Sequence, residues 1–306
     1  MPSEMRSPST FLVVLLLAGF VLPNKVHAAA NVLIGGPTTD WTVIRYGNNN
    51  PDPSNDQQTG SSEGDIVGNL LHASAYMAFG DAGTPSLVDG TMAFRVRLGA
   101  DVSPAGFKTA LFVGIDANAD GALDLFLGVN NSGSRDTIGI WSPGSGLNVS
   151  PSTTTIGNTP LVTYTQTSAN YSWMPVTTIN DPSVGTATDL DGGGQNDYFL
   201  SFSIAFSDVV AQLSAIGINS FNQNSPLTFV IATSTQGNSL NQDLNGVGAS
   251  YSGSATWASL GVLTDTVSPT GVFIAVPEPR TSTFTTFGIC GLIAYRARRL
   301  IKALKR

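Results

Sequence analysis

The chain of 306 residues has one cysteine, Cys290, and two histidines, His27 and His72. It carries three glutamates against eighteen aspartates. Charged residues make up only 11% of it, less than half the usual share of about a quarter. Each scarcity excludes something. One cysteine builds neither a disulfide framework nor a thiolate zinc site. Two histidines cannot supply a multi-histidine metal centre, and His72 alone makes no catalytic triad. Few cations and a net charge of −7 argue against nucleic-acid binding. Apolar runs occur at the two ends but not in series, so a multi-span membrane protein is excluded. What is plentiful is glycine, 33 residues, together with Asn, Ser and Thr, which argues against a helical cytosolic enzyme.

The ends carry the clearest signals. Residues 1–30 read as a secretory signal peptide: Arg6, an apolar run from Phe11 to Leu22, then the small-residue exit Val26-His27-Ala28. The other end, 276–306, begins Val276-Pro277-Glu278-Pro279 and continues with an apolar stretch from about Thr281 to Tyr295. It closes on Arg296, Arg298, Arg299, Lys302, Lys305 and Arg306. An apolar span followed by cations is the order of a stop-transfer helix, with the cations held on the cytoplasmic side.

This three-part tail resembles the PEP-CTERM sorting signal of Gram-negative bacteria. The resemblance covers about the last 31 residues, and motif, order and terminal position all coincide. It implies export by the Sec machinery, transient anchoring in the inner membrane by the C-terminal helix, and recognition by an exosortase, a membrane-embedded transpeptidase. Delivery to the cell surface or extracellular matrix would follow. By the same resemblance Pro277, Glu278 and Pro279 are the sorting residues.

Between the signals lies an acidic body, 31–275. Arg45, Arg95, Arg97, Lys108 and Arg135 face eighteen aspartates and Glu63, a net charge of −14. Such a field repels nucleic acid and anionic membranes and attracts cations. Strand patterns dominate. In Met92–Leu98 the apolar Met92, Phe94, Val96 and Leu98 alternate with Arg95 and Arg97, the period of a half-buried strand. Further strands are expected at Ala110–Ile115, Leu123–Val129, Thr137–Trp141, Leu161–Gln166, Tyr198–Ile204 and Leu227–Thr233. One helix is expected, capped by Ser207, facing inward through Val209, Leu213 and Ile216 and ended by Gly217. The polar segment Asn48 to Glu63 reads as a long loop. Together these predict a mainly β body, an antiparallel β-sandwich or jelly roll with one or two short helices.

Two body segments share one spacing. Asp116-Ala117-Asn118-Ala119-Asp120-Gly121-Ala122-Leu123-Asp124 and Asp189-Leu190-Asp191-Gly192-Gly193-Gly194-Gln195-Asn196-Asp197 match at positions one, three, six and nine. Oxygen ligands at alternate positions of a tight loop converge on a hard cation, and Gly at the sixth permits the sharp turn. The first loop resembles the Asp-x-Asp-x-Asp-Gly calcium loops of dockerins, integrin propellers and thrombospondin repeats. It is not an EF-hand, since Leu127 stands at the twelfth position and the flanks read as strands. The expected ligands are Asp116, Asn118, Asp120, Ala122 through its carbonyl, and Asp124, then Asp189, Asp191 and Asp197, all serving structural calcium. Plain Asp/Gly hairpin turns are the alternative. Asn241-Gln242-Asp243-Leu244-Asn245-Gly246 lacks a ninth-position acid and reads as a turn. Turn formation also accounts for Asp40, Asp52, Asp81 and Asp265.

The sequence therefore points to an exported, calcium-stabilised, non-enzymatic surface or matrix protein with no catalytic residues. A carbohydrate-binding module acting on exopolysaccharide is the alternative, with Trp41, Trp141, Trp173 and Trp257 available. A glycoside hydrolase or lyase with paired carboxylates is a third reading.

Overall fold

In the computed structural model the described residues are 32–46, 52–59, 61–102, 105–133 and 135–274. Residues 1–30 and 276–306, expected from the sequence to be a signal peptide and a sorting tail, lie outside them. No helix of the described residues is long and apolar enough to cross a membrane.

The body is two antiparallel sheets. The strands are β1 (Thr42–Val43), β2 (Ala75–Gly80), β3 (Thr91–Leu98), β4 (Ala110–Asp116), β5 (Leu125–Asn130), β6 (Thr137–Trp141), β7 (Val162–Thr165), β8 (Tyr171–Pro175), β9 (Tyr198–Ala205), β10 (Thr228–Ser234) and β11 (Asp243–Leu244). One sheet runs β1-β2-β3-β9-β8 and the other β11-β10-β4-β5-β6-β7. Their facing sides form one core: Met92, Phe94, Val96 and Leu98 of β3 and Leu200, Phe202 and Ile204 of β9 meet Leu111, Val113 and Ile115 of β4, Leu125, Leu127 and Val129 of β5, and Phe229 and Ile231 of β10.

Both outer faces are covered as well. Phe112, Phe126, Trp141 and Val230 lie under Trp257 and Val262. Trp41, Tyr76, Ala93 and Phe199 lie with Val176 and Val184 on the back of the other sheet. This double covering explains why β4 and β5 are buried at every position. Strands covered on both faces read as continuous apolar runs.

It also corrects the expectation for β3. That strand is not half-buried: Arg95 and Arg97 are both 0% exposed. Across β9 they sit opposite Ser201 and Phe199, and the chain packs over them. Strands β1, β2, β8 and β11 were not expected from pattern. In β2, Ala75-Tyr76-Met77-Ala78-Phe79-Gly80, burial on both sides erases any alternation.

Helix α1 (Phe206–Ala215) also departs from expectation at its start. Ala205 is the N-cap and makes no side-chain cap, and Ser207 lies inside the first turn. The buried face is Phe206, Val209 and Leu213, while Ile216 is 50% exposed. The C-terminus is as expected. Gly217, at φ 94°, gives its amide to Ser214 O at 3.0 Å, and Ile218 gives its amide to Leu213 O at 3.0 Å. That pair of bonds is a Schellman stop. A second short helix, α2 (Trp257–Leu260), is capped by Thr256, whose Oγ1 accepts the Ser259 amide at 3.2 Å.

Candidate metal centre

The two nine-residue loops with shared spacing fold the same way. The first joins β4 to β5, and the second leads into β9. In each, the amide at position two donates to the aspartate at position nine: Ala117 to Asp124 Oδ2 at 2.8 Å, Leu190 to Asp197 Oδ2 at 3.1 Å. In each, the first aspartate accepts the amides of positions four and six. Ala119 and Gly121 donate to Asp116 at 2.7 and 3.0 Å, and Gly192 and Gly194 to Asp189 at 2.7 and 2.8 Å. Position five donates to the side-chain oxygen of position three: Asp120 to Asn118 at 2.9 Å, Gly193 to Asp191 at 2.9 Å. Positions four and six have positive φ in both, 61° and 84° at Ala119 and Gly121, 73° and 81° at Gly192 and Gly194. The sequence repeat is thus a structural repeat.

The loops differ in what their carboxylates do. One oxygen from each of Asp189, Asp191 and Asp197 lies within 4.8 Å of the others. Among the described residues Asp116, Asp120 and Asp124 do not form such a trio. There the Asn118 amide Nδ2 stands between two carboxylates, 3.0 Å from Asp120 Oδ2 and 3.5 Å from Asp124 Oδ1. Ala122 gives its amide to Asp120 Oδ1 at 2.8 Å. Asp124 ends the loop and delays β5 to Leu125, two residues later than its apolar run begins.

Burial is the largest influence on most of these acids. It raises Asp116 against the amides of Gly121 and Ala119. It raises Asp124 to about 6, with Asp116 and Asp120 adding repulsion. In the second loop burial pushes Asp189 upward, but a hydrogen bond with Asp191 and three glycine amides outweigh it and hold Asp189 below its ordinary value. Asp191 is raised, by burial first.

Asp197 has a second occupation that sequence reasoning missed. Arg97 Nε donates to its Oδ2 at 2.6 Å, both side chains fully buried. The same guanidinium gives Nη2 to Ala187 O at 2.6 Å and lies 4.0 Å from Asp181. Burial raises Asp197 to about 6 despite the opposing charge and hydrogen bond of Arg97. Its oxygens are therefore divided between the arginine, the Leu190 amide and the loop centre.

A second trio with the same convergence, Asp52, Asp56 and Asp243, lies elsewhere. Asp52 and Asp243, read from the sequence as turn residues, are buried, at 1% and 5% exposed, and Asp243 lies in β11. The two groups adjoin: Asn55 Nδ2 donates to Asp191 O at 2.8 Å, and Asp65 feels the charges of both Asp56 and Asp191.

Three of the four tryptophans, Trp41, Trp141 and Trp257, are buried. Trp173 is half-buried and stacks on Tyr198, ring centroids 4.8 Å apart. His72 closes a turn with Asn69, whose Oδ1 accepts its amide at 2.9 Å. Pro277, Glu278 and Pro279 lie outside the described residues. No family model, no curated protein and no solved structure matches the chain.

Proposed function

We propose that residues 31–275 are the exported body of a cell-surface or extracellular-matrix protein, a β-sandwich fastened by calcium and without catalytic activity. The observation that carries the calcium reading is the convergence of Asp189, Asp191 and Asp197 in a loop whose backbone pattern recurs at 116–124. Alternate oxygens around a tight Gly-containing turn suit a hard cation. A body with no cysteine has no disulfide to hold its long loops, so a cation takes that task. The address rests on the sequence: the signal peptide, and the tail with Pro277, Glu278 and Pro279 read by an exosortase after Sec export.

Two measurements test this. Calcium should raise the melting temperature of the purified, metal-stripped protein, and Asp189→Asn should reduce the rise; an unchanged melting curve sinks the calcium role. Fractionation of the producing cell should find the body outside the cytoplasm. An intact signal peptide on a cytoplasmic protein sinks the address. The carbohydrate-binding alternative loses three tryptophans to the interior and rests on Trp173, so it predicts that Trp173→Ala abolishes glycan binding.

A further inference from the structure

The segments 52–59 and 61–67 form a strap between the two sheets. On one side Ile66 bridges to Leu98 of β3, and the Val67 amide donates to Arg97 O at 3.0 Å. On the other, the Gln58 amide donates to Gln242 O at 2.9 Å, and Thr233 Oγ1 of β10 donates to Gly64 O at 2.5 Å. Asp243 of β11 reaches into the strap and accepts the Ile66 amide on Oδ2 at 2.6 Å.

At this junction one carboxylate oxygen each of Asp52, Asp56 and Asp243 lies within 4.8 Å of the other two. Asp52 is 1% exposed. Its Oδ1 accepts the Gly246 amide, while its buried Oδ2 meets no hydrogen-bond donor among the described residues. The charges that act on Asp52 are those of Asp243, Asp56 and Asp65, all repulsive. Among the described residues no ion pair reaches the trio, since Arg97 spends its charge on Asp181 and Asp197. An unpaired buried carboxylate is costly, and its oxygens require either protons or a cation.

We propose that Asp52, Asp56 and Asp243 hold one calcium ion that fastens the strap to β11. The donors are oxygen alone, which suits a hard cation and not zinc. Calcium takes oxygens at about 2.3–2.6 Å, so three oxygens that all lie within 4.8 Å of one another are close enough to share one ion. Magnesium asks for a stiffer, more hydrated octahedron. Asp52 and Asp243 are each oriented by a backbone amide on one oxygen. This site shares no residue with the loops at 116–124 and 189–197 and does not depend on export.

The test uses the full chain, purified in detergent and stripped of metal, titrated calorimetrically with calcium chloride. Asp52→Asn and Asp243→Asn should each bind one calcium fewer than the wild type. Asn at these positions retains an oxygen for the Gly246 or Ile66 amide, so circular dichroism should remain native. Asp189→Asn should lose a different ion and keep this one, which separates failure here from failure of the loop reading. Equal stoichiometry in wild type and both variants overturns the proposal, and so does saturation of this site by magnesium in preference to calcium. Should a variant fail to fold, wild-type crystals soaked in terbium decide: an anomalous peak among the three carboxylates supports the site, and its absence overturns it.

Discussion

The side chains that most constrain this protein are two arginines on one strand. Arg97 is bound by Asp197 at 2.6 Å and by the Ala187 carbonyl at 2.6 Å, fully buried. Arg95 gives Nε to Ser201 at 2.9 Å and Nη2 to Ile34 O at 2.7 Å, and its guanidinium lies 4.3 Å from the Trp41 ring and 5.1 Å from Phe199. Burial lowers Arg95 to about 10, so it remains charged at neutral pH and the rings supply part of what water would. Removing one partner of a buried pair costs about 3–5 kcal/mol, because the other charge is stranded. Arg97→Met is therefore expected to lower the guanidinium unfolding free energy by that amount. Adding Asp197→Asn should restore part of it, since the stranded carboxylate goes too. A loss under about 1 kcal/mol, the range of exposed pairs, would show that Arg97 is solvated in solution.

Among the elements, the repeated loop is the one whose equivalence can be tested by exchanging residues. Position four has positive φ in both copies, yet one holds Ala119 at 61° and the other Gly192 at 73°. An L-residue there costs roughly 1–2 kcal/mol, partly offset by the greater freedom glycine has when unfolded. Ala119→Gly is then expected to stabilise the protein by roughly 1 kcal/mol and Gly192→Ala to destabilise it by a similar amount. A Cβ at position 192 meets nothing within 4 Å, so a denaturant titration of these two variants reads backbone strain without a clash. Two changes of the same sign would deny the shared conformation. The repeat was legible in the sequence because turn-forming residues act locally, over nine positions. The strands β3, β4, β6, β9 and β10 were legible for a similar reason, through apolar runs or alternation bounded by turn residues. Strand β2 was not, since covering both faces removes the period. Nor was the Asp52 group: Asp52 and its amide donor Gly246 are 194 positions apart, and local spacing carries no trace of that meeting. Asp243 and Arg97 were misread on the same account, because their roles are set by what packs over them.

At the scale of the whole molecule, the body carries a net charge of −14 and hides part of that charge where carboxylates are uncomfortable. Burial, with neighbouring acids adding to it, raises Asp243 to about 8. Burial also leads in raising Asp65, Asp124 and Asp197 to about 6 each. Unfolded aspartates titrate near 3.9. Between these values the native chain binds more protons than the unfolded chain, so stability falls as pH rises. The contribution is full below about pH 4 and is lost as pH passes the folded values near 6 and then 8. This is the reverse of ordinary acid denaturation, where ionised carboxylates stabilise the native state. Asp189, held below its ordinary value, acts in the opposite sense but only at lower pH. Protein stripped of metal on a chelating resin should accordingly melt at a lower temperature at pH 8 than at pH 5. On the calcium proposal the ion replaces the protons, because its ligands must be ionised, and at about 100 times its dissociation constant one ion would add about 2.7 kcal/mol. For a domain of this size that is a rise of roughly 5–11 °C. The gap between calcium-loaded and stripped melting curves should therefore widen from pH 5 to pH 8. A stripped protein that gains stability over that range, or a gap that narrows, would mean that the buried acids are relieved by something other than protons and calcium.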